Sequence, residues 1–293
     1  MWRTSETQKR FESVVNSGQS FILFDLETTG LNPQKTKTSP ACKITQIAAM
    51  KLRFVDGKLE VGEKLNQYLN PECELSPVII EKTGLTNEFL KDKPTENEIF
   101  YSVIYPFFNG EDVGVVCGYN VNFDVRFMRA LYERQGEAFL VDEEIDVMKM
   151  AKDIISRAEA GNHKLETITK MYGLDDGLQF HNAMDDIVAT SRLLRIFKNE
   201  YDKKNEAFEN NAHAELKKAI INSVNYWEGY RGNKRIYINT NIGTFYYGII
   251  EKEWGEKKGN PYKMNEVDME HLRLETFKFT KCYSEEELSK YRK

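Results

Sequence analysis

The stretch FILFDLETTG, residues 21–30, runs four apolar residues into an aspartate and places a glutamate two positions further on. Residues 21–27 read as a strand with a buried start. Desolvating an ionised carboxylate costs several kcal/mol unless a partner compensates it, and no lysine or arginine lies within the stretch. Side chains at i and i+2 of a strand share a face, so Asp25 and Glu27 point the same way. Like charges that close raise each other's pKa unless a cation sits between them. Either the strand ends at Asp25 and water covers both acids, or a positive group arrives from elsewhere, a metal ion being one candidate.

Outward from this strand, residues 7–17 read as a leading helix. Residues 44–55 read as a second strand, Asp56-Gly57 as a turn and 58–69 as a third strand, giving an antiparallel meander beside the first. Residues 76–83 and 95–108 have helical spacing, the latter opening with Thr95 and Glu98 in capping-box positions. An apolar strand follows at 113–120. Helices are expected over 123–135, 144–158, 164–172 and 183–199, with Gly136 and Gly173 as stops. Strands first, then strands alternating with helices, predict an α/β fold: a mixed sheet flanked by helices.

The chain has 293 residues, 41% hydrophobic and 30% charged, which allows a packed core and argues against disorder. Its formal charge of −5 argues against broad electrostatic binding of duplex nucleic acid but leaves room for a local basic groove. The polar N-terminus lacks an apolar signal core, and no apolar run approaches the ~18–20 residues that span a bilayer. A soluble cytoplasmic protein with no membrane partner is expected. Cys42, Cys73, Cys117 and Cys282 form no CxxC pair and read as small hydrophobes.

Composition shifts near residue 200. Residues 201–293 hold 15 of the 35 aromatics and 17 basic against 15 acidic residues, whereas 1–200 hold 24 against 31. Two domains are therefore expected, 1–200 and 201–293. The second opens with a polar linker or exposed helix and continues as a small aromatic-rich α+β unit, in which RIYINTNIGTFYYGII (235–250) alternates as strands do. Trp227, Tyr230 and Tyr237 are interleaved there with Arg231, Lys234 and Arg235. Such mixtures stack bases and track phosphates, but they equally build a small core or a protein-docking surface.

Two further stretches carry acids. In NVNFDVRFM (120–128), Asp124 opens a helix, where its structural role would be to complement the helix dipole. In HNAMDD (181–186), His181 precedes a helix whose first turn holds Asp185 and Asp186. Each piece alone has a structural reading. Together D-x-E-T-T-G, N-x-x-F-D and H-x-A-x-x-D, in this order over residues 18–199, resemble the DEDDh family of 3′–5′ exonucleases, DnaQ-like enzymes that include proofreading subunits, ribonuclease T and oligoribonucleases. TGLTNEFLKDKP, EIDVMKMAK and KLETITKMYGL resemble the family's intervening segments.

The resemblance implies a ribonuclease H-like fold and two divalent metals, Mg2+ or Mn2+. It implies Asp25, Glu27, Asp124 and Asp186 as metal ligands and His181 as general base. Asp185 rivals Asp186, and the family spacing favours Asp186. Asp146 is expected to be structural. Thr28, Thr29 and Gly30 are expected near the 3′-terminal nucleotide, with turn chemistry as their other role, and Asn120 and Asn122 are weaker substrate candidates. The loop NPQKTKTSPACK (32–43) is longer than is usual in the family, and its Lys35, Lys37 and Lys43 are candidates for phosphate contacts. The implied activity is hydrolysis at 3′ ends of single-stranded DNA or RNA, releasing nucleoside 5′-monophosphates, with DNA favoured. RNA trimming or oligoribonuclease action is the alternative, and a binding scaffold with a nuclease fold is the non-enzymatic one. A polymerase or another protein is a candidate partner for residues 201–293.

Overall fold

The computed structural model describes residues 5–37, 39–110 and 114–218, and strand segments 221–228, 234–240, 243–248 and 253–256, with side chains described through Glu206. The chain divides into two compact units between Tyr201 and Asp202.

The first unit is built on five strands: β1 (Phe21–Thr28), β2 (Ile44–Val55), β3 (Lys58–Tyr68), β4 (Val115–Gly118) and β5 (Glu143–Asp146). Their order is β3-β2-β1-β4-β5. β2 runs antiparallel to both β1 and β3, whereas β1–β4 and β4–β5 pair in parallel. β1 is thus central. The outer strand β3 carries charged residues, and Lys51–Glu63 and Arg53–Glu60 pair across it to β2, which suits an edge that must not recruit another strand.

The helices are α1 (Glu6–Ser17), α2 (Pro77–Thr83), α3 (Asn87–Leu90), α4 (Glu96–Ile99), α5 (Tyr105–Phe108), α6 (Asn122–Arg134), α7 (Val147–Ile154), α8 (Arg157–Ala160), α9 (Leu165–Met171) and α10 (Ala183–Lys218). The odd and even residues of β1 serve different layers. Ile22, Phe24 and Leu26 enter one apolar cluster with Phe100, Ile104, Val125, Phe127 and Met128. Phe21 and Leu23 face the other way, and Phe21 stacks on Phe54, which meets Phe11 of α1 edge-to-face. Asp25 and Glu27 continue this second face by the two-residue period.

Two expected helices are interrupted. Residues 95–108 begin with the expected Thr95–Glu98 capping box, but Phe100–Ile104 forms a π-helical turn before α5. Pro106 lies in the first turn of α5, where it can supply no N–H to the preceding helix, so the ladder must shift or break. Residues 143–146 are a strand rather than the start of a helix, because they pair with Val115–Gly118. α7 then begins at Val147, where the Asp146 carboxylate accepts the Met148 N–H at 3.0 Å.

In the second unit, β6 (Ile221–Glu228), β7 (Lys234–Thr240), β8 (Gly243–Gly248) and β9 (Glu253–Glu256) form an antiparallel sheet in sequence order. Residues 201–218 continue α10 without a break. Trp227 of β6 stands opposite Arg235 of β7, and Lys234 and Tyr237 also fall on β7. Tyr230, Arg231 and Cys282 lie outside the described residues. Cys42, Cys73 and Cys117 are free thiols, Cys117 being buried and Cys73 exposed. Among the described residues no helix is long and apolar enough to cross a membrane.

Candidate active site

Three segments that are distant in sequence bring the acids together. The first is the end of β1. Its pairing register sets Asp25 opposite Ala48 and Glu27 opposite Gln46 of β2, and a register irregularity lies between Glu27 and Thr28. The second is the start of α6, where buried Asp124 accepts the backbone N–H of Leu26 at 3.1 Å. That bond ties the helix to β1 between the two strand acids. The third is the start of α10, which carries His181 just before it and Asp186 in its first turn.

The start of α10 is fixed from several sides. Asn182 caps it, its Oδ1 accepting the N–H groups of Met184 and Asp185 at 3.1 and 3.4 Å. Gln46, fully buried on β2, accepts the Ala183 N–H through Oε1 at 3.3 Å and donates through Nε2 to Asn66 Oδ1 at 2.9 Å. The Asp185 carboxylate accepts the Gln179 N–H at 3.1 Å and so holds the preceding loop. His181 has φ +67°, a left-handed conformation uncommon for a residue other than glycine. One ligand-capable atom from each of Glu27, His181 and Asp186 lies within 4.8 Å of the other two.

The electrostatics are those of four carboxyls crowded in one buried place. Asp25 is pushed far above the ordinary carboxylate range by burial first and then by Asp124, Asp186 and Glu27. Burial and Asp186 push Glu27 up to about 8. Asp186 is pushed up to about 7 by burial, with the His181 backbone N–H acting against it. Asp124 is also raised, mainly by burial. Lys82 of α2 opposes the rise at Asp25, Glu27 and Asp186. Asp186 Oδ1 is buried and finds no hydrogen-bond donor among the described residues. An unpartnered buried acceptor beside repelling carboxyls fits hard divalent cations, which take carboxylate oxygens.

The other expected site residues are placed as follows. Thr28 Oγ1 donates to the Gly30 carbonyl at 2.7 Å, and Thr29 Oγ1 accepts the Lys43 N–H at 3.0 Å. Both hydroxyls therefore work inside the turn. A Cβ on Gly30 would lie 2.7 Å from Cys42 Sγ, so the loop packs against a bare backbone there. Asn120 and Asn122 are exposed beside Asp124, Asn120 at φ +65° with its N–H given to Asp146 Oδ1 at 3.1 Å. Asp146 thus braces both motifs around it. Lys43 departs from its expected phosphate role: its Nζ is 2.7 Å from buried Glu96, which also receives Arg134. Lys35 and Lys37 remain exposed. Gln46 and Lys82 were not expected. The only signal for Gln46 was a polar residue within an apolar strand, and Lys82 had none.

A five-stranded mixed sheet that converges four carboxyls and an imidazole at the end of its central strand defines a metal-dependent nuclease of ribonuclease H-like fold. The exonuclease family model RNase_T matches residues 22–194, and the chain belongs to this family. A DNA polymerase III of PolC type from Latilactobacillus sakei is 32% identical over 200 residues, covering 68% of this chain and 12% of that protein. One from Staphylococcus epidermidis is 31% identical over 207 residues, covering 71% and 13%. The chain therefore spans about an eighth of the length of these relatives. Two crystal structures of Escherichia coli exonuclease I share the fold. The zinc-bound complex with single-stranded DNA has TM-score 0.52 at 19% identity, covering 79% of this chain and 54% of that one. The complex with a dA16 oligonucleotide has 0.51 at 18%, covering 79% and 55%.

Proposed function

We propose that this chain is a 3′–5′ exonuclease that hydrolyses the terminal phosphodiester of single-stranded nucleic acid, DNA in preference to RNA, and releases nucleoside 5′-monophosphates. The observation that carries this reading is the convergence of Asp25, Glu27, Asp124 and Asp186 on one site, with Asp186 Oδ1 buried and unpartnered. These four carboxylates would hold two divalent cations, Mg2+ or Mn2+, which when bound supply Lewis acidity and a water of lowered pKa. His181 would serve as general base, holding a proton on its imidazole. Burial first, then Lys82, hold its imidazole below the usual histidine range, so it is neutral and basic at pH 7. Thr28, Thr29 and Gly30 shape the turn whose backbone faces the terminal nucleotide, and Asn120, in the turn before α6, and Asn122, at its start, flank it.

The DNA preference rests on the relatives, which are DNA polymerases, and on exonuclease I having been crystallised with single-stranded DNA. Those polymerases extend far beyond the matched segment, which supports a polymerase or another protein as partner. Residues 201–293, as a separate unit, are the part available to attach one. Strands of DNA and RNA of one base sequence, labelled at the 5′ end, test the activity in Mg2+, Mn2+ or EDTA. A metal-dependent ladder shrinking from the 3′ end, absent in Asp25→Ala, is expected, faster on DNA. A folded, metal-binding protein that cleaves neither strand refutes the reading, and faster cleavage of RNA refutes the preference.

A further inference from the structure

A cleft of about 900 Å3 opens from His181 and Asp186 and runs along α7 and the segment 155–166. Four cationic side chains line it: Lys82, Lys152, Arg157 and Lys164. None of them lies within salt-bridge distance of a carboxylate among the described residues, although ion pairs are frequent elsewhere on this unit. Glu166, the other acid lining this cleft besides Asp186, is already bonded to Lys170 at 2.7 Å. Two rings line the same cleft, Tyr119 and Phe180. The Tyr119 hydroxyl donates to the His163 carbonyl at 2.9 Å, which holds the ring against the far wall.

Cations left unpaired on an acidic unit await an anion. Several of them beside aromatic faces are the combination that binds single strands, phosphates to the cations and bases to the rings. A single nucleoside monophosphate carries at most two negative charges, fewer than the three cations Lys152, Arg157 and Lys164 on this wall. We propose that this cleft is the track for the substrate strand upstream of the scissile bond, taking two or three backbone phosphates on Lys152, Arg157 and Lys164 and bases on Tyr119 and Phe180. The inference rests on the exonuclease reading and adds to it the path of the strand.

Lys152 and Arg157 suit the test because neither figures among the groups that shift the site's carboxyls or His181. The double variant K152E/R157E is compared with the wild-type full chain on a ten-nucleotide strand and on a dinucleotide of the same bases. On the decamer KM is expected to rise at least tenfold with kcat within twofold, while kcat/KM on the dinucleotide falls less than threefold. Two lost phosphate contacts also flatten the plot of log KM against log salt by about 1.4. K152Q/R157Q, with the same signs and smaller effects, serves if the charge reversal impairs folding, and circular dichroism decides which variant is read. Equal losses on both substrates, or an unchanged KM on the decamer, overturn the track. So does a raised inhibition constant for free thymidine 5′-monophosphate without a length effect, which would make the cleft the seat of the leaving nucleotide. Fluorescence anisotropy of a labelled decamer in EDTA separates the two hypotheses. A wild type that binds the strand more tightly than the variant yet cleaves nothing refutes the exonuclease reading and keeps the track.

Discussion

Glu27→Gln is expected to stabilise the metal-free protein while abolishing its activity. In the fold the Glu27 carboxyl is pushed from 4.5 to about 8 by burial and by Asp186. A carboxyl with a raised folded pKa contributes stability that is complete below its unfolded value and is lost as pH rises towards the folded one. Its unfavourable linkage at pH 7.5 amounts to at most ~4 kcal/mol, from 1.36 kcal/mol per pH unit between the two values. The repulsion is shared with Asp186, so we take about half, ~2 kcal/mol, for Glu27 alone. Glutamine has the same shape and no charge, so the variant escapes this cost. For a unit of this size that corresponds to a rise in Tm of ~4–8 °C. Thermal melts in EDTA followed by circular dichroism should show the gain at pH 7.5 and its disappearance near pH 4.5, where both states of the wild type are protonated. Saturating Mn2+ should reverse the order, because the wild type gains the full linkage of cation binding and the variant only part. A variant no more stable than wild type in EDTA at pH 7.5, or a gain independent of pH, would refute the account of the site as a cluster of buried, mutually repelling carboxyls.

Other substitutions probe how the site is held. Gln46→Leu leaves the Ala183 N–H and Asn66 Oδ1 without their present partner; a loss of ~1–3 kcal/mol in urea unfolding and a fall in kcat larger than any rise in KM are expected. Glu96 is desolvated, but hydrogen bonds from Arg134 and Lys43 outweigh that and hold its carboxyl below the usual glutamate range. The triad's contribution is therefore present above the ordinary glutamate pKa and lost as pH falls through the lower folded one, and Glu96→Gln should cost about 3 kcal/mol at pH 7 by denaturant titration. Gly118→Ala places a Cβ 2.9 Å from the Phe24 carbonyl and 3.2 Å from Val121 Cβ, so it should lower stability by ~1–3 kcal/mol, checked by the urea midpoint. Lys82→Ala removes a charge that lowers the histidine's pKa, so the acidic limb of the kcat–pH profile should move to higher pH.

The boundaries of β1, β2 and α6 were legible because each rests on local chemistry. Alternation over 44–55 and the Asp56-Gly57 turn announce a hairpin, and the structure pairs Val55 with Lys58 across it. What local chemistry cannot show is pairing at a distance. EIDV reads as the start of a helix until Val115–Gly118 lies beside it, and the polar run 201–218, readable as a linker or an exposed helix, does not show that it continues α10. The break at 100–104 had a visible cause in Pro106, but periodicity over 95–108 concealed it.

The site divides along the same line. Asp25 and Glu27 were recognisable as anomalous from one strand's two-residue period, since two acids on one buried face without a counter-charge demand an explanation. Asp124, His181 and Asp186 gained meaning only as an ordered set. Of the two roles open to Thr28 and Thr29, substrate approach and turn chemistry, the turn role is visible in their hydroxyl hydrogen bonds, as expected of short polar side chains beside a strand end. Lysines gave the least information of all. Lys43 and Lys152 cannot be told apart in the sequence, yet one is engaged by a buried glutamate and the other faces an open cleft without a carboxylate partner. A formal charge of −5 is compatible with gripping a polyanion for the same reason. At physiological salt, charges farther apart than about 8 Å are largely screened. What a strand meets at the cleft is the local arrangement of unpaired cations, and the surplus of acids elsewhere reaches it only weakly.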